Sequence, residues 1–178
     1  MTNPNPKEIT IREATACDII ALWQTLSVAA YEGSVSAARA LPYVASHLKD
    51  WPGDGEFGFL AYDPDGAFLG AAWIRQLAPD EEPVFSAGER IPEISIAVML
   101  EAVGRGVGTQ LIAYLTEEAD RRGTEMCVNL REDRHSFGLL VRYGFDLVPG
   151  SQHQNPDGSL SIGMIRRPAV SRTQINRA

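Results

Sequence analysis

Apolar and polar residues alternate over Ile9-Thr10-Ile11-Arg12, a short β-branched run that predicts a strand. The spacing then changes. Ile19, Leu22, Trp23 and Leu26 recur three and four apart, which predicts a helix entered at Thr15, whose hydroxyl suits an N-cap. A second helix is predicted from about Ser36 to Leu48, with Pro42 inside it as a kink or a later start. Trp51-Pro-Gly-Asp-Gly-Glu56 has turn composition. Phe57 to Tyr62 and Ala67 to Leu77 read as the two strands of a hairpin closed by Asp63-Pro-Asp-Gly66.

Residues 78–90 are polar, acidic and turn-rich, the pattern of an exposed loop. Glu93-Ile-Ser-Ile-Ala-Val98 follows as a strand with Ile94, Ile96 and Val98 on one face. After a glycine-rich turn, Val107, Leu111, Leu115 and Ala119 fall four apart and form the buried stripe of a helix. Gly123 stands where a left-handed C-cap is wanted. Glu125 to Leu130 is a strand, Arg134 to Tyr143 a short helix stopped at Gly144, and Phe145 to Val148 a strand leading out. Asn155-Pro-Asp-Gly158 is a turn before a last strand, Leu160 to Ile165. Strands and helices are interspersed without repeats, so the class is mixed α/β with a largely antiparallel sheet.

Composition narrows the possibilities. The 178 residues suit one domain at roughly 150 residues per domain, with residues 1–8 as a flexible leader and 167–178 as a C-terminal tail. With 44% hydrophobic and 22% charged residues the chain reads as an ordinary globular protein. A net charge of -7 argues against a general nucleic-acid binder, and the one basic cluster, Arg166, Arg167, Arg172 and Arg177, falls in the tail region. No apolar run is long enough to span a membrane. Cys17 and Cys127 cannot build a disulfide framework, and no Cys/His spacing suits a metal, so no metal site is expected and the reading is cytoplasmic. His47, His135 and His153 are scattered and read as surface or structural residues.

The chemistry concentrates in one stretch: a strand, Met99-Leu-Glu-Ala-Val103, then Gly104-Arg105-Gly106-Val107-Gly108-Thr109, then a helix. Glycines at alternate positions are entropically costly unless bare backbone is needed. One use is to let a phosphate reach unobstructed N–H groups at a helix N-terminus. The other reading is a tight strand-to-helix turn without a ligand. A dinucleotide fingerprint needs glycine where Thr109 stands, and a Walker A loop needs a lysine that is missing.

The run Ile96-Ala97-Val98, a five-residue loop, the Gly104–Thr109 segment and an amphipathic helix together resemble motif A of the GCN5-related N-acetyltransferases. Ile11-Arg-Glu-Ala-Thr15 with Asp18 resembles that family's first strand and helix start, and Asp133 to Gly144-Phe145 its motif B. The resemblance covers roughly residues 9–166. It implies a central mixed, mostly antiparallel sheet of six to seven strands flanked by about four helices. It also implies an acetyltransferase with acetyl-CoA as co-substrate and a small-molecule or peptide amine as acceptor, with room for a homodimer. On this resemblance Gly104, Arg105, Gly106, Val107, Gly108 and Thr109 bind the pyrophosphate. Ile96, Ala97 and Val98 offer backbone to the pantetheine arm, and Asp133 stands where an asparagine often touches the cofactor. As an alternative, Asp133 is simply a helix N-cap.

Two positions depart from the family pattern. Val103 replaces the usual Gln or Arg before the first glycine, leaving Arg105 as the loop cation. Leu140 stands where the family's general acid, a tyrosine, is expected; Tyr143 is three residues on, either a partial substitute or a packed aromatic. The reaction implied is attack of an amine on a thioester, which needs a base because an alkyl ammonium has a pKa of about 10.4. Glu93 is the best base in the sequence; its other reading is a solvated strand-end carboxylate. Trp23, Tyr31, Glu32, Trp51, Tyr62, Trp73 and Asp80-Glu81-Glu82 read either as acceptor-selecting groups or as core aromatics and an acidic loop. Leu140 also permits a second class of function, a non-catalytic acetyl-CoA-binding regulatory module.

Overall fold

A computed structural model describes residues 8–78, 90–132, 134–154 and 158–169. Outside them lie most of the leader, nearly all of the acidic loop with Asp80-Glu81-Glu82, Asp133, the centre of the Asn155-Pro-Asp-Gly158 turn, and Arg172 and Arg177. Contacts divide the chain into two compact units. One comprises residues up to 75 together with 95–115, and the other 76–94 together with the chain from 116 onward.

In the first unit β1 (Thr10–Glu13) pairs antiparallel with β2 (Gly58–Tyr62), in register Thr10↔Tyr62. β2 pairs antiparallel with β3 (Phe68–Arg75), with a bulge between Ala61 and Tyr62. The connecting turn is held by Asp63, whose Oδ1 accepts from the N–H groups of Asp65 at 3.0 Å and Ala67 at 2.9 Å. The next strand, β4 (Glu93–Val98), lies beside β3.

A 3-10 turn over Ala16–Asp18 leads into α1 (Ile19–Ala29). Thr15 opens that turn, its N–H donating to Asp18 Oδ2 at 2.8 Å, while the Arg12 guanidinium holds the Asp18 carboxyl well below the usual carboxylate range. Leu22 and Leu26 of α1 enter a core with Leu48, Trp51, Leu60, Ala71 and Trp73. The expected 36–48 helix is two helices, α2 (Val35–Ala40) and α3 (Pro42–Ser46). Proline lacks the N–H that would continue α2, but its φ suits a first helical position, so Pro42 ends one and starts the other.

The α4 helix (Val107–Arg122) begins in the first unit and ends in the second. Its predicted stripe is confirmed, with Val107, Leu111, Leu115 and Ala119 each at most 1% exposed.

In the second unit the start of β4 pairs parallel with β5 (Met126–Arg131) at Glu93↔Cys127. β5 pairs antiparallel with β8 (Leu160–Arg166), and β8 carries β6 (Asp146–Leu147) and β7 (His153–Gln154). α5 (Arg134–Arg142) lies between β5 and β6 in the chain.

The class is mixed α/β with a mostly antiparallel sheet, as expected. Among the described residues there are eight strands and five α-helices, rather than six to seven and about four. The additions are the two-residue β7, too short to show a period, and the helix created by the break at Pro42. Arg166, grouped by sequence with the tail arginines, is instead a buried residue at the end of β8. No helix among the described residues is long and apolar enough to cross a membrane.

Candidate active site

β4 delivers the chain into the glycine segment. Ile96, Ala97 and Val98 are half-buried, and the N–H of Met99 donates to the Leu69 carbonyl at 2.9 Å, anchoring the strand end on β3. A 3-10 turn over Leu100–Ala102 follows, with Ala102 buried and Leu100 and Val103 exposed.

Gly104 and Gly106 then take φ values of +80° and +82°. An L side chain enters this left-handed region at a cost of about 1–2 kcal/mol. A Cβ at either position would meet nothing within 4 Å, so packing does not demand glycine there; backbone conformation does, and the space in front stays open. Arg105, between them, is exposed.

The carbonyl of Gly106 accepts the first helical bond, from the N–H of Gln110 at 3.1 Å. The N–H groups of Gly106, Val107, Gly108 and Thr109 therefore have no partner within α4. They sit at the positive end of a 16-residue helix whose first turn is locked inward by buried Val107. Gly108 belongs to that first turn rather than to the loop, so the three evenly spaced glycines resolve into two turn residues and one helical one. Donors, one cation and open space in front of them are groups that can receive phosphate oxygens.

The second unit holds the other candidates. Glu93 is buried, 5% exposed, which corrects the view of it as a solvated strand-end carboxylate. Residues opposite each other on paired strands share a face, so Glu93 lies on the face of Cys127. Burial, with the Glu93 charge adding to it, pushes the Cys127 thiol up to about 12.

Tyr143 is the C-cap residue of α5, half-buried, and its carbonyl accepts from Arg166 Nε at 2.8 Å. Arg166 is opposite Met126, one residue out of phase with Cys127, so its side chain leaves from the face opposite Glu93. The backbone at Tyr143 is thus tied to that opposite face. Among the described residues no group of three or more His, Cys, Asp or Glu is arranged to hold a metal.

A family model described as the acetyltransferase (GNAT) family matches residues 20–145. The chain belongs to that family. It is an acyl-CoA-dependent N-acetyltransferase with acetyl-CoA as co-substrate.

Solved structures agree on the fold. A phosphinothricin acetyltransferase from Sinorhizobium meliloti, in complex with AcCoA, is 24% identical over 90% of this chain and 88% of its own, with a TM-score of 0.64. A GnaT-family acetyltransferase from Bordetella pertussis is 18% identical over 89% and 94%, TM-score 0.64. The spermidine/spermine N-acetyltransferase of Vibrio cholerae is 16% identical over 96% and 99%, TM-score 0.60. No curated protein matches the sequence.

In this GNAT acetyltransferase the position of the family's tyrosine is closed. Leu140 is 3% exposed, three residues before the C-cap of α5, and serves the packing of that helix end. Trp51 and Trp73 are core residues as well, their indole N–H groups donating to the carbonyls of Ile74 at 3.1 Å and His47 at 3.0 Å. Trp23 stacks beneath Arg39 at 4.7 Å and Tyr62 beneath Arg12 at 5.2 Å, so both rings already face a cation of the chain itself. Further polar residues on the Glu93 face are Asn129, Arg131, Ser161 and His153, of which the sequence singled out only His153, as a surface or structural histidine. Asn129 was open to detection, since Cys127, Asn129 and Arg131 alternate along one strand. The place of His153 on that face was not, because only pairing with β8 makes its segment a strand.

Proposed function

We propose that this acetyltransferase acetylates a primary amine of a small molecule or peptide by direct attack in a ternary complex. The observation that carries the reading is the pair of left-handed glycines with open space before them at the head of α4. Gly104, Gly106, Val107, Gly108 and Thr109 would hold the diphosphate through backbone N–H groups, with Arg105 as the local cation. Ile96, Ala97 and Val98 would offer main-chain groups to the pantetheine arm as an added strand does. Asp133 is proposed to contact the same arm. Bound acetyl-CoA supplies an activated acyl carbon and a thiol whose pKa, near the ~8.5 of cysteine, lets it leave with little acid help.

Glu93 is proposed as the base. A buried carboxylate at the head of β4 can take the proton that an ammonium must lose, directly or through a water. Tyr143 is the proposed proton donor, with a small share of the rate. The family match runs across both units and supports residues 9–166 as one domain. Two free cysteines support a reducing, cytoplasmic setting.

The test is free-thiol release from acetyl-CoA across a panel of amines. Glu93→Gln is expected to lower the rate and move the pH profile upward, and Tyr143→Phe to cost less than about tenfold, below the roughly 10²–10⁴ of full acid–base assistance because the thiol leaves with little help. An unaltered profile in Glu93→Gln removes Glu93 as base.

A further inference from the structure

The 3-10 turn between β4 and the glycine segment sorts its side chains onto three sides. With three residues per turn, side chains at i and i+3 eclipse one another. Ala102 points inward and is 1% exposed, while Glu101 is exposed on a second side. Leu100 and Val103, one turn or about 6 Å apart, take the third side together.

Leu100 is 81% exposed and Val103 64%, and among the described residues no large hydrophobic side chain is more exposed than Leu100. A single exposed leucine is ordinary. Two apolar side chains eclipsed on one side of a turn make a ledge.

That ledge is held firmly. The N–H of Ala102 donates to the Met99 carbonyl at 2.8 Å, and that of Val103 to the Leu100 carbonyl at 3.3 Å. Val103, at φ -59° and ψ 138°, and Gly104, at φ +80°, are the middle residues of a type II turn. The Arg105 N–H closes it on the Ala102 carbonyl at 3.3 Å. The ledge therefore ends where the glycine donors begin, and both belong to the first compact unit.

Chain order decides what the ledge meets. Ile96, Ala97 and Val98 precede it, and the segment from Gly104 to Thr109 follows. Coenzyme A has a matching order: thiol, the two amides of the pantetheine arm, a pantoyl segment, the diphosphate, then adenosine. With β4 main chain taking the amides and the glycine segment the diphosphate, the piece between them is the pantoyl segment. Its quaternary carbon carries two methyl groups, an apolar knob on a polar molecule. Leucine and valine side chains have no donor for a phosphate oxygen and no partner for an amide. They suit methyl groups.

We infer that Leu100 and Val103 bind the pantoyl methyl groups of acetyl-CoA. The inference rests on the acetyl-transfer reading above and adds the side chains that grip the co-substrate between its amides and its diphosphate. The adenine ring, the other group of the molecule with an apolar face, is attached beyond the diphosphate and stays off the ledge.

The test is calorimetry of acetyl-CoA binding at several temperatures, on the wild type and on the Leu100→Ser/Val103→Ser double variant. Both side chains face solvent, so the fold tolerates the changes. The double variant is expected to bind acetyl-CoA about tenfold more weakly, the worth of two methyl groups left in water. Its binding heat capacity is expected to be less negative, because less apolar surface is buried. Val103→Ile keeps the apolar surface and is expected to retain the wild-type affinity. ADP, which has adenine and a diphosphate but no pantoyl group, is expected to displace acetyl-CoA with the same dissociation constant from both proteins.

Unchanged acetyl-CoA affinity in the double variant overturns the ledge and leaves acetyl transfer standing. An equal weakening of ADP assigns Leu100 and Val103 to the nucleotide end and overturns the inference as well. A wild type that binds no acetyl-CoA overturns the transfer reading itself, and the ledge with it.

Discussion

The backbone N–H of Phe145 donates to the carbonyl of Leu140 at 3.0 Å, and both side chains are buried. With the N–H of Gly144 donating to Val141 at 3.0 Å and Gly144 at φ +84°, this is a Schellman ending to α5. In that motif the residues in the places of Leu140 and Phe145 commonly make a hydrophobic contact, a place that a buried leucine suits. Leu140→Tyr is therefore expected to destabilise the fold by about 1–3 kcal/mol through overpacking, and not to raise kcat. Urea denaturation and steady-state rates check this; a variant as stable as the wild type and faster would show that the position opens on the reacting groups.

The loop makes a separate demand. Gly106→Ala puts a methyl group into open space, so its main effect is the left-handed strain, about 1 kcal/mol of stability. Gly106→Asp and Gly108→Asp set a carboxylate among the donors proposed to hold phosphate. Each is expected to weaken acetyl-CoA at least about a hundredfold, or about 2.7 kcal/mol by calorimetry. Unchanged affinity in both aspartate variants would refute the loop assignment.

Arg166 donates to Asp120 through two nitrogens, at 2.9 and 2.7 Å, and to the Tyr143 carbonyl at 2.8 Å. One guanidinium thus joins β8, α4 and the end of α5 in the second unit. Asp120→Ala leaves that buried cation without its counter-charge and is expected to cost about 3 kcal/mol. In a double-mutant cycle, Asp120→Ala with Arg166→Met should cost clearly less than the sum of the singles; simple additivity would mean the pair is not coupled.

Cys127 and Cys17 should part company chemically. Cys17 is exposed, whereas burial and the Glu93 charge push the Cys127 thiol up to about 12. Thiolate is the reactive form, so at about pH 8 an alkylating agent should label Cys17 alone in the folded protein. Both cysteines should react in guanidinium chloride. Labelling of Cys127 in the native state at the rate of Cys17 would contradict the packing around β5.

The amino-acid sequence by itself determined the elements with strong local signals. The four-residue stripe of α4, the β4 alternation and the glycines of the α4 entry and α5 exit all sit where local periodicity and left-handed backbone placed them. Only the tertiary structure decided what pairing and burial control. It turned Glu93 from a solvated carboxylate into a buried one, and took Arg166 out of the tail and into an ion pair. It also made His153 part of a strand on the face of Asn129. The reason is physical: a residue's dihedral preference acts over a few neighbours, whereas its solvent exposure and hydrogen-bond partners are set by segments far away in the chain.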